Sequence, residues 1–153
     1  VSKPRPAYLD KPSFARMMKV SSAAHVALYQ LSGGRLGRRF RRSGAPVCLL
    51  TTIGRKTGRH RTKPLLYLAD GDRVVIVASQ GGHPRHPAWY HNLVANPDVL
   101  VQVGKDRRHM RARTADTSER EALWPRLVDL YPDYADYQSW TDREIPVVIC
   151  EPL

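Results

Sequence analysis

Six short runs of strand character limit what this chain can become. They lie at 46–53, 62–69, 73–79, 98–104, 107–115 and 145–151, each apolar or alternating apolar with polar residues. Asp70-Gly71-Asp72 joins the second run to the third as a tight hairpin, and Gly104-Lys105-Asp106 turns the fourth into the fifth. Helical patterns do not alternate with every strand, which argues against a doubly wound parallel sheet. Hairpins with helices inserted between them specify an antiparallel, barrel-like α+β domain. The 153 residues are enough for one well-buried core.

The helical segments are fewer. Residues 1–12 are proline-rich and expected to be extended, with Ser13 as N-cap of a helix over 13–31. Phe14, Met17, Met18, Ala24, Leu28 and Leu31 fall near one face of it, which suits packing on the domain or contact with a membrane surface. Gly33-Gly34 ends it, and five arginines (35, 38, 39, 41 and 42) follow as a mobile basic connector. The chain therefore divides into an N-terminal extension, 1–44, and a barrel domain, 45–153. Within the domain a short helix is expected over 87–95, with proline in its first turn. Ser118 and Glu121 frame a capping box for a helix running towards Tyr131, which Pro125 should kink. A last short helix covers 133–140.

Charge narrows the function. A net charge of +11 and a pI near 10.2 demand an acidic partner: nucleic acid, an anionic membrane surface or a highly charged small molecule. The densest cationic stretch is 54–64, with Arg55, Lys56, Arg59, Arg61 and Lys63 and no acid among them. Gly54 and Gly58 let the backbone turn tightly between two strands, so the cations converge on an anion, a phosphate above all. It is neither a Walker A loop nor a dinucleotide fingerprint, because the required glycine spacing is missing.

Other chemistries find less support. Histidines 83, 86 and 91 have no nearby Cys, Asp or Glu to complete a coordination shell, so no metal site is expected. Ser79, before Gly81-Gly82, lacks a nucleophile elbow and reads as a hydrogen-bonding serine. Cys48 and Cys150 sit in apolar runs and read as buried free thiols of a reducing compartment. With no signal-peptide pattern at the N-terminus, a cytoplasmic location is expected. Tyr131, Tyr134 and Tyr137 recur every three residues, with Asp133 and Asp136 between them. Such an amphipathic face suits the wall of a pocket that stacks a flat ring and offers a phenol as proton donor.

Four blocks in order resemble the deazaflavin-dependent nitroreductase family, which uses coenzyme F420. They are Leu49-Leu50-Thr51-Thr52-Ile53-Gly54-Arg55-Lys56-Thr57-Gly58, then Ala78-Ser79-Gln80-Gly81-Gly82, then Pro87-Ala88-Trp89-Tyr90-His91-Asn92-Leu93-Val94-Ala95-Asn96-Pro97, and the tyrosine-rich stretch 131–143. The resemblance implies a split β-barrel related to flavin-binding oxidases. It implies a cofactor with a phosphate, an acidic tail and a flat deazaflavin ring, and so supplies the polyanion that the charge requires. Arg55, Lys56, Thr57 and Arg61 match the part of the motif that holds phosphate and tail. Pro64, Val77, Ala78, Ser79, Gln80, Ala88, Trp89, Tyr90, His91 and Asn92 match the part lining the cofactor. Tyr134, flanked by Tyr131 and Tyr137, matches the region beside the ring, and with Ser79 these tyrosines are the expected catalytic residues. Gln80 stands where some relatives carry lysine, with Arg85 nearby to compensate.

The implied activity is hydride transfer from reduced F420 to an electron-poor acceptor: a quinone, an activated alkene or a nitro compound. The expected partners are that acceptor and an F420-reducing dehydrogenase, with the 13–31 helix leaving open a peripheral contact at the inner membrane surface. FMN on the same fold is the alternative cofactor reading. A nucleic-acid-binding module would also account for the charge, but no recognised motif supports it.

Overall fold

The structure, a computed structural model, describes residues 3–153. Residues 1 and 2 of the stretch expected to be extended lie outside that range. The stretch also departs from expectation at Ala7–Asp10, which forms a 3-10 turn. Seven strands rather than six make one antiparallel sheet: β1 (Val47–Ile53), β2 (His60–Leu66), β3 (Leu68–Asp70), β4 (Arg73–Val77), β5 (Asp98–Val103), β6 (Asp106–Thr114) and β7 (Val147–Pro152). Across the sheet they run β2-β1-β5-β6-β7-β4-β3.

The extra strand comes from dividing the run expected at 62–69. β2 pairs with β1 at one edge, the chain turns at Tyr67, and β3 pairs with β4 at the other edge. One nearly continuous extended stretch therefore spans both edges, and the sheet curls into the expected α+β split barrel. Pro64 lies in β2, an edge strand, where a missing N–H is tolerated.

Both faces of the sheet are buried where the site will form. Successive residues Val74, Val75, Ile76 and Val77 of β4 are each 6% exposed or less, because alternate side chains enter different cores. Inside the barrel Cys48, Leu50, Ile76, Val101, Met110 and Cys150 pack with Trp89 and Leu93 of α2 (Ala88–Ala95). Outside it Val75, Val77, Val147 and Ile149 pack against Leu123 and Leu127 of α3 (Thr117–Leu130) and against Tyr131 and Tyr134. Each such aliphatic side chain contributes about 1.5–3 kcal/mol when fully buried. Both cysteines are free and buried, and burial pushes the Cys150 thiol up to about 12.

Three helix expectations are corrected. α1 (Pro12–Leu31) starts one residue early, with Pro12 at its first position and Lys11 as a cap without a side-chain bond, so Ser13 caps nothing. Its packed face is also different. Met17 (56% exposed), Leu28 (47%) and Leu31 (89%) face outward, and Val26 and Tyr29 face the sheet. Tyr29 wins the buried position because its hydroxyl serves the backbone there, accepting from Gly104 N–H at 2.7 Å and donating to Val47 O at 3.2 Å.

The capping box of α3 uses Asp116 and Glu119 rather than Ser118 and Glu121. Asp116 Oδ1 accepts from Glu119 N–H at 2.8 Å, and Glu119 Oε1 accepts from Asp116 N–H at 3.1 Å. The Arg113 guanidinium also grips the Glu119 carboxylate, pulling its pKa down to about 2 and selecting that frame. α3 continues through Pro125, because the proline and the Glu121 carbonyl that loses its partner are on an exposed side. The connector after α1 is tied down as well. Phe40 N–H donates to Ala45 O at 2.8 Å, Val47 N–H to Arg38 O at 2.8 Å, and the Phe40 ring packs on Tyr131 while the arginines stay exposed.

Candidate active site

Two regions, towards opposite ends of the β1–β2 hairpin, gather the candidate residues, and they differ in character. The first is the turn between β1 and β2. Gly58 N–H donates to Gly54 O, and Gly54 N–H donates to Arg59 O, both at 2.7 Å, with Gly58 in the left-handed region at φ +70°. Arg55, Lys56, Thr57, Arg59 and Arg61 are all exposed, and among the described residues none of these four cations joins an ion pair. Asn92 fixes the turn from α2. Its Oδ1 accepts from Arg55 N–H at 3.0 Å and its Nδ2 donates to Thr52 Oγ1 at 3.2 Å.

The second region is a cavity of about 280 Å³ under the end of β4. Of the expected residues, Pro64, Val77, Ser79, Tyr131, Tyr134 and Tyr137 line it. The tyrosines come from Tyr131, which ends α3, and from α4 (Asp133–Ser139), where positions 134 and 137 share a face. Their ring centroids lie 5.0–6.2 Å apart, and the Tyr131 and Tyr137 hydroxyls are 3.2 Å apart. Burial raises the pKa of all three phenols; for Tyr131 the bond to Tyr137 adds to the shift. They are therefore protonated donors at neutral pH, with no capacity as bases. The hydroxyls of Tyr134 and Ser79 take no hydrogen-bond partner among the described residues, so both are free to act on a ligand in the cavity.

A glycine lets these pieces meet. Gly82 has φ +75°, and a Cβ built there would lie 2.8 Å from Tyr137 O and 3.1 Å from the Trp140 ring. The loop at 80–82 can touch α4 only without a side chain at that point. Gln80 precedes it at φ +44°, a left-handed conformation unusual for a side-chain-bearing residue. It is exposed and does not line the cavity.

The remaining expected residues do not line the cavity. Trp89 is a core residue, and Ala78 is fully buried behind Ser79. Tyr90 donates to or accepts from Thr114 Oγ1 at 2.8 Å and faces a second, smaller hollow with His86; Ala88 is exposed, and the His91 ring packs on those of Tyr90 and His86. Residue patterns missed part of the cavity wall: Phe40, Leu66 and, from α1, Met18, Ser21, Ser22 and His25. The run Ser21-Ser22 inside an apolar helix was the available signal. His25 Nε2 lies 2.6 Å from Gly37 O; since a carbonyl only accepts, the ring carries its proton there.

Comparison with known proteins bears on this geometry. The sequence profile of the F420H(2)-dependent quinone reductase family matches residues 21–152. A Mycobacterium tuberculosis protein, provisionally named F420H(2)-dependent quinone reductase Rv3178, is 48% identical over 118 residues, covering 77% of this chain and 98% of the relative. F420H(2)-dependent quinone reductase Rv1261c of the same organism is 45% identical over 129 residues, 82% of this chain and 85% of its own. A solved F420-H2 dependent reductase, FDR-A, superposes with a TM-score of 0.65 at 46% identity, covering 69% of this chain and 94% of that one. A structure described as a domain-swapped dimer gives 0.67 at 38% identity, over 89% and 99%.

Proposed function

This chain belongs to the F420H(2)-dependent quinone reductase family, and from that premise we propose a division of labour within its site. The enzyme is an F420H2-dependent reductase of quinone-type acceptors. Its residues fit the cofactor: among the described residues the exposed cations at 55–61 join no ion pair, and the cavity at the other end of the same hairpin offers two unpartnered hydroxyls on a wall of mutually inclined tyrosine rings. When bound, reduced F420 supplies a hydride.

Arg55, Lys56 and Arg61 hold the phosphate and acidic tail, with Thr57 shaping the turn by accepting from Arg59 N–H at 3.2 Å. Pro64, Val77 and Ser79 flank the ring, and Tyr134 and Ser79 donate to the acceptor oxygen that gains charge. The single observation carrying this reading is the free, protonated Tyr134 hydroxyl in the cavity. Tyr134→Phe removes only that oxygen. It should slow single-turnover menadione reduction about 10- to 100-fold, the range for one donor in a water-poor site, with cofactor affinity unchanged. An unchanged rate would rule out Tyr134 as donor.

Access to the acceptor forms the second part of the proposal. α1 presents Met18, Ser21, Ser22 and His25 to the cavity and Met17, Val20, Leu28 and Leu31 to solvent, with Arg16 and Lys19 alongside. No helix among the described residues is long and apolar enough to cross a membrane. A helix with an apolar outer stripe and basic flanks suits the surface of an anionic bilayer, from which a lipid quinone could reach the cavity. Co-sedimentation with anionic vesicles that survives Met17→Ser/Leu28→Ser/Leu31→Ser would refute this contact. Reduced cofactor would come from a separate F420-reducing dehydrogenase.

A further inference from the structure

Arg143 belongs to no strand or helix, yet its guanidinium makes more contacts than any other in the site. Nε donates to His83 O at 2.8 Å, Nη1 to Ala78 O at 3.1 Å and Nη2 to Ser79 O at 2.7 Å. Nη1 also lies 3.0 Å from His86 Nδ1, which accepts in the neutral ring. The residue's own backbone is held: Gln138 Nε2 donates to Arg143 O at 2.8 Å, and Arg143 N–H donates to Thr141 Oγ1 at 3.3 Å. No carboxylate among the described residues pairs with it, so the guanidinium is not an ion-pair partner.

What it grips is informative. Ala78 and Ser79 precede the left-handed stretch, and His83 follows it. Between them Gln80, Gly81 and Gly82 have φ of +44°, +58° and +75° in succession. Such a stretch does not hold its own shape: its internal ties are Gly82 N–H to Ser79 O at 3.0 Å and His83 N–H to Gln80 O at 3.1 Å. A rigid planar fork whose donors diverge at fixed angles can clamp both ends at once, which an ammonium on a flexible stem cannot do.

We infer that Arg143 is a positioning residue for hydride transfer: it fixes the backbone on both sides of the 80–82 loop and so holds the Ser79 hydroxyl against the cavity. This rests on Ser79 acting as a donor to the acceptor. The guanidinium touches the Ser79 carbonyl, never its hydroxyl, so the two groups can be removed independently.

A double-mutant cycle with the full-length enzyme, reduced F420 and menadione reads the coupling through single-turnover rates and thermal midpoints. Ser79→Ala and Arg143→Lys should each slow hydride transfer about 10-fold, the order of one well-placed hydrogen bond. The double variant should be about as slow as the slower single one, because a loosened loop already misplaces the hydroxyl. Multiplicative losses, about 100-fold in the double variant, would overturn the inference. A Ser79→Ala enzyme at full rate would overturn both Ser79's role and this inference, whereas a Ser79 loss undiminished beside Arg143→Lys overturns this inference alone. Should Arg143→Lys fail to fold, His86→Phe removes one acceptor from the fork and keeps the arginine. Coupling of about threefold with Ser79→Ala is then expected, and none would count against it.

Discussion

The basic turn and the tyrosine cavity lie towards opposite ends of one hairpin and are built on opposite principles. At the turn Arg55, Lys56, Arg59 and Arg61 are exposed and, among the described residues, in no ion pair, while backbone bonds, the Thr57 hydroxyl and the Asn92 amide hold the turn. In the cavity the donors are neutral phenols kept protonated by burial and fixed by ring packing and a glycine contact. Exposed charges attract a polyanion from a distance, but each contact is weak and screened by salt. Buried neutral donors attract little from afar and act strongly on charge that develops beside them. The division teaches that affinity and rate can be held by different residues here, and each can be disturbed separately.

The harshest disturbance is Gly82→Ala. The new methyl meets a backbone carbonyl of α4 and sits at positive φ, so the loop and tyrosine helix must part. Activity should fall by at least about 100-fold, and stability by about 1–3 kcal/mol, read by turnover and chemical denaturation. Near wild-type values would show that the loop–helix contact is dispensable.

Lys56→Ala combined with Arg61→Ala should act on the other side of the comparison. Cofactor Kd is expected to rise about 10-fold at low ionic strength, roughly 0.5–1 kcal/mol per exposed contact, with the rate at saturating cofactor kept. A rate loss at saturation would place the turn in the chemistry as well. The smallest effect concerns pH. Burial, then Arg143 and His91, lower the His86 pKa below its usual value. Neutral His86 therefore favours the folded state; that contribution is whole above about pH 6.5 and is lost as pH falls through the lowered value. The thermal midpoint should drop between pH 7 and pH 5 by a few degrees more in wild type than in His86→Phe, about the span of a sub-kcal/mol effect. Equal drops would remove His86 from the account.

Much of this was legible because it is local. The strand runs other than 62–69, the turn at 70–72, the glycines around 81 and the three-residue tyrosine spacing are patterns of neighbouring residues, and the structure places them close to where they were read. What was hidden depends on partners distant in sequence. The break at Tyr67 reflects closure of the barrel across two edges, and nothing in 62–69 announces it. Which face of α1 packs on the sheet was hidden because a polar atom decided it: Tyr29 satisfies Gly104 N–H and Val47 O. The two overlapping capping frames at 116–121 were separated by Arg113, a residue of β6. Arg143 is one of 25 lysines and arginines in the sequence, and only its acceptors, distant in the chain, set it apart.

The central claim is that the turn anchors the cofactor while the cavity performs the chemistry. The ionic-strength dependence of two quantities on one sample tests it most directly: cofactor Kd, and the hydride-transfer rate at saturating cofactor. Between low salt and 0.5 M, where the screening length falls to about 4 Å, Kd should climb steeply and the rate should stay level. A rate that falls in step with affinity would contradict the account.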